Sequence, residues 1–268
     1  MRLRIFDTAH GFCSYIVADT GNVRLIDCGH DVEHGFIPSE WLSNNGCTGI
    51  EQFTVCNYDE DHVSDIENIR ALGVDSLLRN KSVTSAQLRQ IKQKGGPISP
   101  AMENLLQMID QYQGGPISPP IDFGAIETTV FYNDYPAFTD TNNLSLVLFL
   151  HYRDVHVIFP GDLLTAGWNE LLKNQAFRNE LGRTKVFIAS HHGRTSGYAP
   201  DVFKYCKPFV VIVSDVEPED KDESKVYAQH AIGIDWKGSK KNDLHTWDVG
   251  HILIEQASTG NWSITSSK

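Results

Sequence analysis

Four apolar runs of strand length in this chain each break off into Asp or His, and that repeated ending constrains the fold more than any other feature. Phe53-Thr54-Val55-Cys56 leads into Asn57-Tyr58-Asp59-Glu60-Asp61-His62, and Val23-Arg24-Leu25-Ile26 into Asp27-Cys28-Gly29-His30. Val157-Ile158-Phe159-Pro160 leads into Gly161-Asp162, and Val186-Phe187-Ile188-Ala189 into Ser190-His191-His192-Gly193. Glycine at such a break permits a tight turn and close approach by a ligand. Polar groups at strand ends line the usual crevice of layered α/β proteins. Taken singly, each ending has a plain reading: an Asp-Gly turn, or a His pair bonded to backbone. Their joint occurrence points to one shared site.

The densest ending is Asn57 to His62. An extended exit from the strand sends Asn57, Asp59 and Asp61 to one side, gathering three oxygen donors. His62 adds an imidazole where the pattern turns helical, since Val63, Ile66, Ile69 and Leu72 recur at helical spacing. Gathered carboxylates repel one another, and a divalent cation offsets that repulsion. The competing reading is a solvated acidic loop that caps the helix.

Length and composition exclude several classes. A chain of 268 residues with 41% hydrophobic residues can build a real core as one large domain or two small ones. No apolar run approaches the roughly 20 residues that span a bilayer, and Met1 to Asp7 lacks a signal peptide's apolar stretch. A cytoplasmic location without membrane association is expected. Cys13, Cys28, Cys47, Cys56 and Cys206 are scattered without paired spacing and read as reduced, buried thiols. The formal net charge of -11 opposes tight, sequence-independent binding to nucleic acid. Lys225, Lys237, Lys240 and Lys241 form the one candidate basic patch, and a solvated loop is the simpler reading of them.

The start of the chain, with Leu3 to Phe6, Ser14 to Ala18 and Val23 to Ile26 separated by turn signals, reads as a β-meander. Helices are expected over 36–45 and 63–72. Between 84 and 124 the composition changes, and Gly-Gly-Pro-Ile-Ser-Pro occurs at both 95–100 and 114–119. Met102, Leu105, Leu106, Ile109 and Tyr112 mark an amphipathic helix between the copies. This stretch reads as an inserted helical segment: a lid, a partner surface or a surface decoration. Strands return at Ala125–Tyr132, Leu144–His151, Val155–Phe159, Val186–Ala189 and Phe209–Val213, several of them apolar on both faces. Helical segments are expected over Thr165–Arg178 and Pro200–Tyr205, and a hairpin turns around Ser258-Thr259-Gly260. No linker separates two domains, so a single domain over 1–268 is expected.

The motif order is specific. Leu25-Ile26-Asp27-Cys28-Gly29, then Asn57-x-Asp59-x-Asp61-His62, Asn142-Asn143-Leu144-Ser145-Leu146-Val147-Leu148, Phe159-Pro160-Gly161-Asp162 and Ser190-His191-His192-Gly193 together resemble the metallo-β-lactamase fold. Within it they are similar to the metallo-hydrolase domain of the ComEC family of DNA-uptake channels and its stand-alone relatives. Phe6 to Phe12 falls at that family's first strand and glycine turn. The match spans nearly the whole chain except 84–124.

The resemblance implies an α/β fold, an αββα four-layer sandwich, with a metal site at one edge between the sheets. It implies one or two divalent ions, zinc or manganese, with magnesium also possible. Asp61, His62, Asp162 and one of His191 or His192 would hold the second metal of the superfamily pair. The first would have Asn57 and Asp59 in place of two histidines, and Asn142 or Asn143 in place of a third. Carboxylate and amide oxygens suit Mn²⁺, Mg²⁺ or Ca²⁺ better than zinc, so one firm metal is expected, with a second, weaker one near Asp59. Asp27 and His30 would support the site from behind.

The implied chemistry is metal-assisted hydrolysis with an activated water. Asp61 and Asp162 would serve it, Asp162 or Asp59 would orient the water, and the non-ligand member of the His191–His192 pair would act on the leaving group. Arg194, Thr195 and Ser196 could touch substrate. The leading expectation is a phosphodiesterase or nuclease. The alternatives are a hydrolase of a small ester, lactone or nucleotide, and an inactive binding protein of the same fold. Accordingly the expected partners are a nucleic acid or a small phosphodiester or ester, and a protein bound through 84–124. His230, His245, Trp247, Asp248 and His251 read as packing or cleft-lining residues, and His34 and His156 as solvent-exposed.

Overall fold

The computed structural model describes residues 1–31, 35–113, 118–216 and 225–268. His34 and the first four residues of the second Gly-Gly-Pro-Ile-Ser-Pro copy lie outside them. The strands in chain order are β1 (Arg2–Ile5), β2 (Ser14–Val17), β3 (Val23–Ile26), β4 (Ile50–Thr54), β5 (Val74–Leu78), β6 (Glu127–Tyr132), β7 (Leu146–Tyr152), β8 (Val155–Phe159), β9 (Val186–Ile188), β10 (Val210–Val213), β11 (Ile234–Trp236), β12 (Ser239–Lys241), β13 (Asp243–His245), β14 (Ile252–Glu255) and β15 (Ser263–Ser266). Seven form one mixed sheet in the order β15-β14-β1-β2-β3-β4-β5, and six form a second, β13-β10-β9-β8-β7-β6. The expected meander is β1-β2-β3, antiparallel throughout, and the expected C-terminal hairpin is β14-β15.

Strand direction is what positions the site. β3 and β4 run parallel in the first sheet, as do β8, β9 and β10 in the second. Their C-terminal ends gather at one edge, and each delivers the polar group that follows it in sequence. Between the sheets, inward residues such as Ile5, Ile16, Ile26, Leu150, Val157, Ile188, Ile212 and Ile254 are at most 4% exposed. Burying each such side chain contributes roughly 1.5–3 kcal/mol.

The helices are α1 (Pro38–Asn44), α2 (Glu60–Val63), α3 (Ile66–Leu72), α4 (Ser85–Gln93), α5 (Pro100–Gln111), α6 (Thr165–Leu171), α7 (Gln175–Arg183), α8 (Lys225–Ala228) and α9 (Thr246–Val249). α1 to α5 cover the outer face of the first sheet; α6 to α8, with 3-10 turns over 195–204, cover that of the second. The result is four layers, helix–sheet–sheet–helix.

Three expectations need correction. The single helix over 63–72 is broken at Ser64 and Asp65, because the buried Asp65 carboxylate accepts from Ser39 N at 2.7 Å and from Asn68 Nδ2 at 2.8 Å. The helix over 165–178 likewise divides at Asn174, whose side chain accepts from Ala176 N at 2.8 Å and starts α7. The segment 84–124 is no surface decoration. Leu88 of α4 and Met102, Leu105, Leu106, Met108 and Ile109 of α5 are at most 1% exposed, so these helices complete the outer layer of the first sheet.

The five cysteines are buried and unpaired. Burial pushes the thiols of Cys13, Cys28 and Cys56 well above their ordinary range, as suits packing residues. Lys237, Lys240 and Lys241 sit on the exposed β11-β12 ribbon. Among the described residues no helix is long and apolar enough to cross a membrane.

Candidate metal centre

Asp61, His62, Asp162 and His192 each direct one ligand atom to a common point, and those atoms lie within 4.8 Å of one another. Asp61 and His62 come from α2 after β4, Asp162 from the turn after β8, and His192 from the 3-10 turn Ser190–Gly193 after β9. His62 Nε2 is 3.1 Å from Asp162 Oδ1, and His192 Nε2 is 3.1 Å from Asp61 Oδ2 and 3.6 Å from Asp162 Oδ2. Of the two candidate histidines, His192 is the one that enters the cluster. His191 turns away, its Nδ1 2.8 Å from Ser196 Oγ.

Outer partners aim both imidazoles. His62 Nδ1 meets Asp27 Oδ2 at 2.7 Å, and His192 Nδ1 donates to the Ser214 carbonyl at 2.9 Å. Each ring thus keeps Nε2 turned inward, the arrangement that orients metal-binding histidines. His192 Nε2 is buried and makes no hydrogen bond of ordinary geometry. Two imidazole nitrogens and two carboxylates, one nitrogen left without a hydrogen bond, fit a divalent cation.

The backbone is strained where it must be. Asp27, His191 and His192 have φ of 54°, 50° and 56°, a left-handed conformation that costs non-glycine residues on the order of 1–3 kcal/mol each. Glycine is required at Gly29, where a Cβ would meet the Asp61 carbonyl at 2.0 Å. That contact belongs to a tight weave in which Gly29 N donates to Phe12 O at 2.9 Å and Cys28 N to His62 O at 2.7 Å.

The expected first-metal ligands do something else. The chain is extended up to Asp59 and turns helical at Glu60, where α2 begins, so Asp61 is rotated away from Asp59 instead of sharing its side. Asp59 accepts from Lys92 Nζ of α4 at 2.9 Å and from Thr141 Oγ1 at 2.9 Å. Asn57 is fully buried, and its amide is used up: Oδ1 accepts from Asp59 N at 2.7 Å, while Nδ2 donates to Asn142 Oδ1 and Ser145 Oγ, both at 3.1 Å. A lysine ammonium and an amide network stand where a second cation was expected, and Asn57 and Asp59 lie outside the four-ligand group. α4 supplies that ammonium, so the segment 84–124 takes part in the site.

Asp27 lies behind His62, its Oδ2 2.7 Å from His62 Nδ1. His30 does not reach the four ligands; its backbone N donates to Ser64 Oγ at 3.0 Å. Ser196 Oγ lies 2.8 Å from His191 Nδ1, and Arg194 Nη2 lies 3.4 Å from His10 Nε2 at the exposed mouth. His245 pairs with Asp243, His230 stacks on Phe203, and His251 packs on Phe6 and Phe36. His156 is half-buried, its Nδ1 2.5 Å from His151 Nδ1, not merely solvent-exposed.

Two residues of the site escaped the sequence reading. His10 places Nε2 3.4 Å from Asp61 Oδ2 and its ring 4.7 Å from that of His192, while its Nδ1 meets Asp215 Oδ1 at 2.9 Å. Asp215 follows β10 just as the other site residues follow their strands. The run Val210-Val211-Ile212-Val213-Ser214-Asp215 carried the signal but lacked the adjacent glycine that marked the other endings.

The electrostatics show what a cation displaces. Burial alone would lower both imidazoles, but Asp162 and Asp27 outweigh it and hold His62 well above the usual range, while Asp162 and Asp61 hold His192 up at about 10. Burial would raise Asp61 and Asp162, yet His192 and His62 hold both below the usual carboxylate range. Without a metal, the His192 ring is protonated at neutral pH. Metal loading at pH 7 is therefore expected to release about one proton or more, and apparent affinity to rise with pH toward the His192 value of about 10. Calorimetry in buffers of different ionisation enthalpy measures the release; a value near zero would contradict this picture.

No family model and no curated protein matches the chain. Among solved structures it is similar to CmlA, a diiron β-hydroxylase from Streptomyces venezuelae, at 12% identity and TM-score 0.50, covering 85% of this chain and 49% of that one. It thus spans about half the length of CmlA. It is also similar to the metallo-β-lactamase fold protein YhfI from Bacillus subtilis, at 11% identity and TM-score 0.44, covering 84% and 91%. Zn²⁺-bound PqqB from Methylobacterium extorquens aligns at 9% identity and TM-score 0.44, covering 70% and 72%. At such identities the likeness is one of fold. Two mixed sheets flanked by helices make this an α/β fold similar to that of CmlA over 85% of this chain.

Proposed function

We propose that the chain is a metal-dependent hydrolase of ester bonds, with a phosphodiester as the leading substrate class, working through one tightly held divalent ion. The observation that carries this reading is the four-ligand set, with both imidazoles aimed inward by Asp27 and the Ser214 carbonyl. Asp61, His62, Asp162 and His192 would hold the ion. When bound, a divalent cation acidifies a water and polarises the scissile group.

The remaining roles belong to this chain's own residues. Asp27 and Ser214 fix the rings, while Phe12 and Phe159 wall the inner side of the centre. His10, fixed by Asp215, stands at the mouth beside Asp61, placed to hold or deliver a proton at Nε2 for a departing oxygen. Arg194 adds positive charge next to His10, which suits a phosphate. The motif resemblance to the ComEC-type hydrolase domain also supports a phosphodiester, whereas the net charge of -11 favours a small one over a polymer.

A second reading, a non-catalytic binding protein, is favoured by one observation: Lys92 and the Asn57 amide network stand where the resemblance puts the first metal. A panel of Mn²⁺, Zn²⁺ and Mg²⁺ with bis(p-nitrophenyl) phosphate, fluorescent single-stranded DNA and p-nitrophenyl acetate separates the readings. Metal-dependent cleavage of the phosphodiester that disappears in Asp162→Ala is the expected result, with one metal ion bound per chain. Cleavage of the acetate alone would move the substrate class to carboxylic esters. Metal binding without turnover on any substrate would favour the binding protein.

A further inference from the structure

Away from the metal centre, a groove of ≈ 770 Å³ opens between β5 and the start of β6, at the facing edges of the two sheets, and shares no lining residue with the four ligands. Arg24, Gln52 and Ser76 stand in register across β3, β4 and β5, a polar row on the sheet face that elsewhere carries Ile26 into the apolar interior. Arg24 is only 4% exposed. Its Nε and Nη1 are buried without a hydrogen-bond partner, and Gln52 Oε1 is likewise unpartnered.

Such an arginine calls for an anion. Among the described residues no carboxylate pairs with Arg24; its one aromatic neighbour is Phe123, whose ring centroid is 4.4 Å from the guanidinium carbon. Stacking satisfies the face of a guanidinium but none of its N–H edges, which are built for a planar oxyanion. Burial pushes Arg24 down to about 10, so it remains charged at neutral pH. A buried cation without a counter-charge is costly, and a ligand that supplies one removes the cost.

The groove narrows the ligand class. Arg24 and Lys81 on its wall are balanced by Asp75 and Asp122, which discourages multiply charged anions. Leu78, Ile121, Ile126 and Phe123 supply an apolar wall, and the volume is that of a small-molecule site. We propose that this groove binds a small monocarboxylate with an apolar or aromatic body, its carboxylate on the Arg24 guanidinium.

Calorimetric titration of the full chain with 4-phenylbutyrate, hexanoate, 4-phenylbutanol and inorganic phosphate tests the assignment. 4-Phenylbutyrate is expected to bind with Kd below about 1 mM, and the alcohol and inorganic phosphate at least about tenfold more weakly. Arg24→Met should weaken the carboxylate about tenfold or more, and His192→Ala should leave its affinity unchanged, which separates the groove from the metal centre. Should Arg24→Met fail to fold, Ile121→Trp, which fills the groove and keeps Arg24, must weaken binding comparably. Equal affinity for acid and alcohol, equal affinity for phosphate, unchanged binding in Arg24→Met, or no binding by either carboxylate would each overturn the proposal.

Discussion

Asp162→Ala is expected to abolish tight divalent-metal binding, lowering affinity by more than the ~10–100-fold that loss of an outer partner costs. Asp162 is 3% exposed, and its two oxygens face the inward nitrogens of both histidines, at 3.1 and 3.6 Å. Alanine removes one of four donors together with the charge shared by both rings. The buried wall offers no replacement, and a water in the vacated position would bring no negative charge. Asp59→Asn is the informative control, because the Asp59 carboxylate is already engaged by Lys92 and Thr141. It should change the affinity of the firmly bound ion by no more than about threefold. Titration of both variants with Zn²⁺ and Mn²⁺ decides the matter: if Asp59→Asn loses the metal and Asp162→Ala retains it, the ligand set described above is wrong.

The contrast between those two aspartates also shows where reading the sequence succeeds and where it stops. Asp27, Asp61, His62, Asp162 and His192 were legible because each follows an apolar strand, and parallel strands necessarily bring such ends to one edge. Choosing between His191 and His192 was not possible from order alone. Both have positive φ, and what separates them is the Ser214 carbonyl that orients one ring and the Ser196 hydroxyl beside the other. Both partners come from elsewhere in the fold or its local turns, and no spacing rule encodes them.

Asp59 failed for a related reason. Period-two alternation holds only while the strand continues, and the chain turns helical at Glu60, so Asp59 and Asp61 diverge after sharing a side on paper. Nothing local announced that Lys92, more than thirty residues on, would place its ammonium on Asp59. The same long-range packing made α4 and α5 part of the helical layer: the apolar spacing of α5 was visible, but which surface it would cover was not. β5 was also missed. Its sequence Val-Asp-Ser-Leu-Leu lacks clean alternation, as an edge strand with a mixed environment allows.

Gly29→Ala should destabilise the protein by about 3 kcal/mol or more and weaken metal binding at the same time. The added Cβ would lie 2.0 Å from the Asp61 carbonyl oxygen, 2.8 Å from Phe12 N and 3.0 Å from Phe12 O. All three atoms are backbone, so no side chain can swing aside to make room. They are also mutually bonded, Phe12 N donating to Asp61 O at 3.3 Å and Gly29 N to Phe12 O at 2.9 Å. The clash can be relieved only by parting the loop after β3, which carries Gly29, from the loop after β1 and the start of α2, which moves Asp61 and His62 off the common point they share with Asp162 and His192. Loss of stability and loss of metal affinity therefore have one cause, and restoring one without the other should not be possible by metal excess. Gly49→Ala provides the comparison, since a Cβ there meets nothing within 4 Å, and it should stay within about 0.5 kcal/mol of the wild type. Denaturant midpoints with and without Zn²⁺ measure both effects; a Gly29→Ala protein as stable as Gly49→Ala, with full metal affinity, would show that the weave around Asp61 does not position the site.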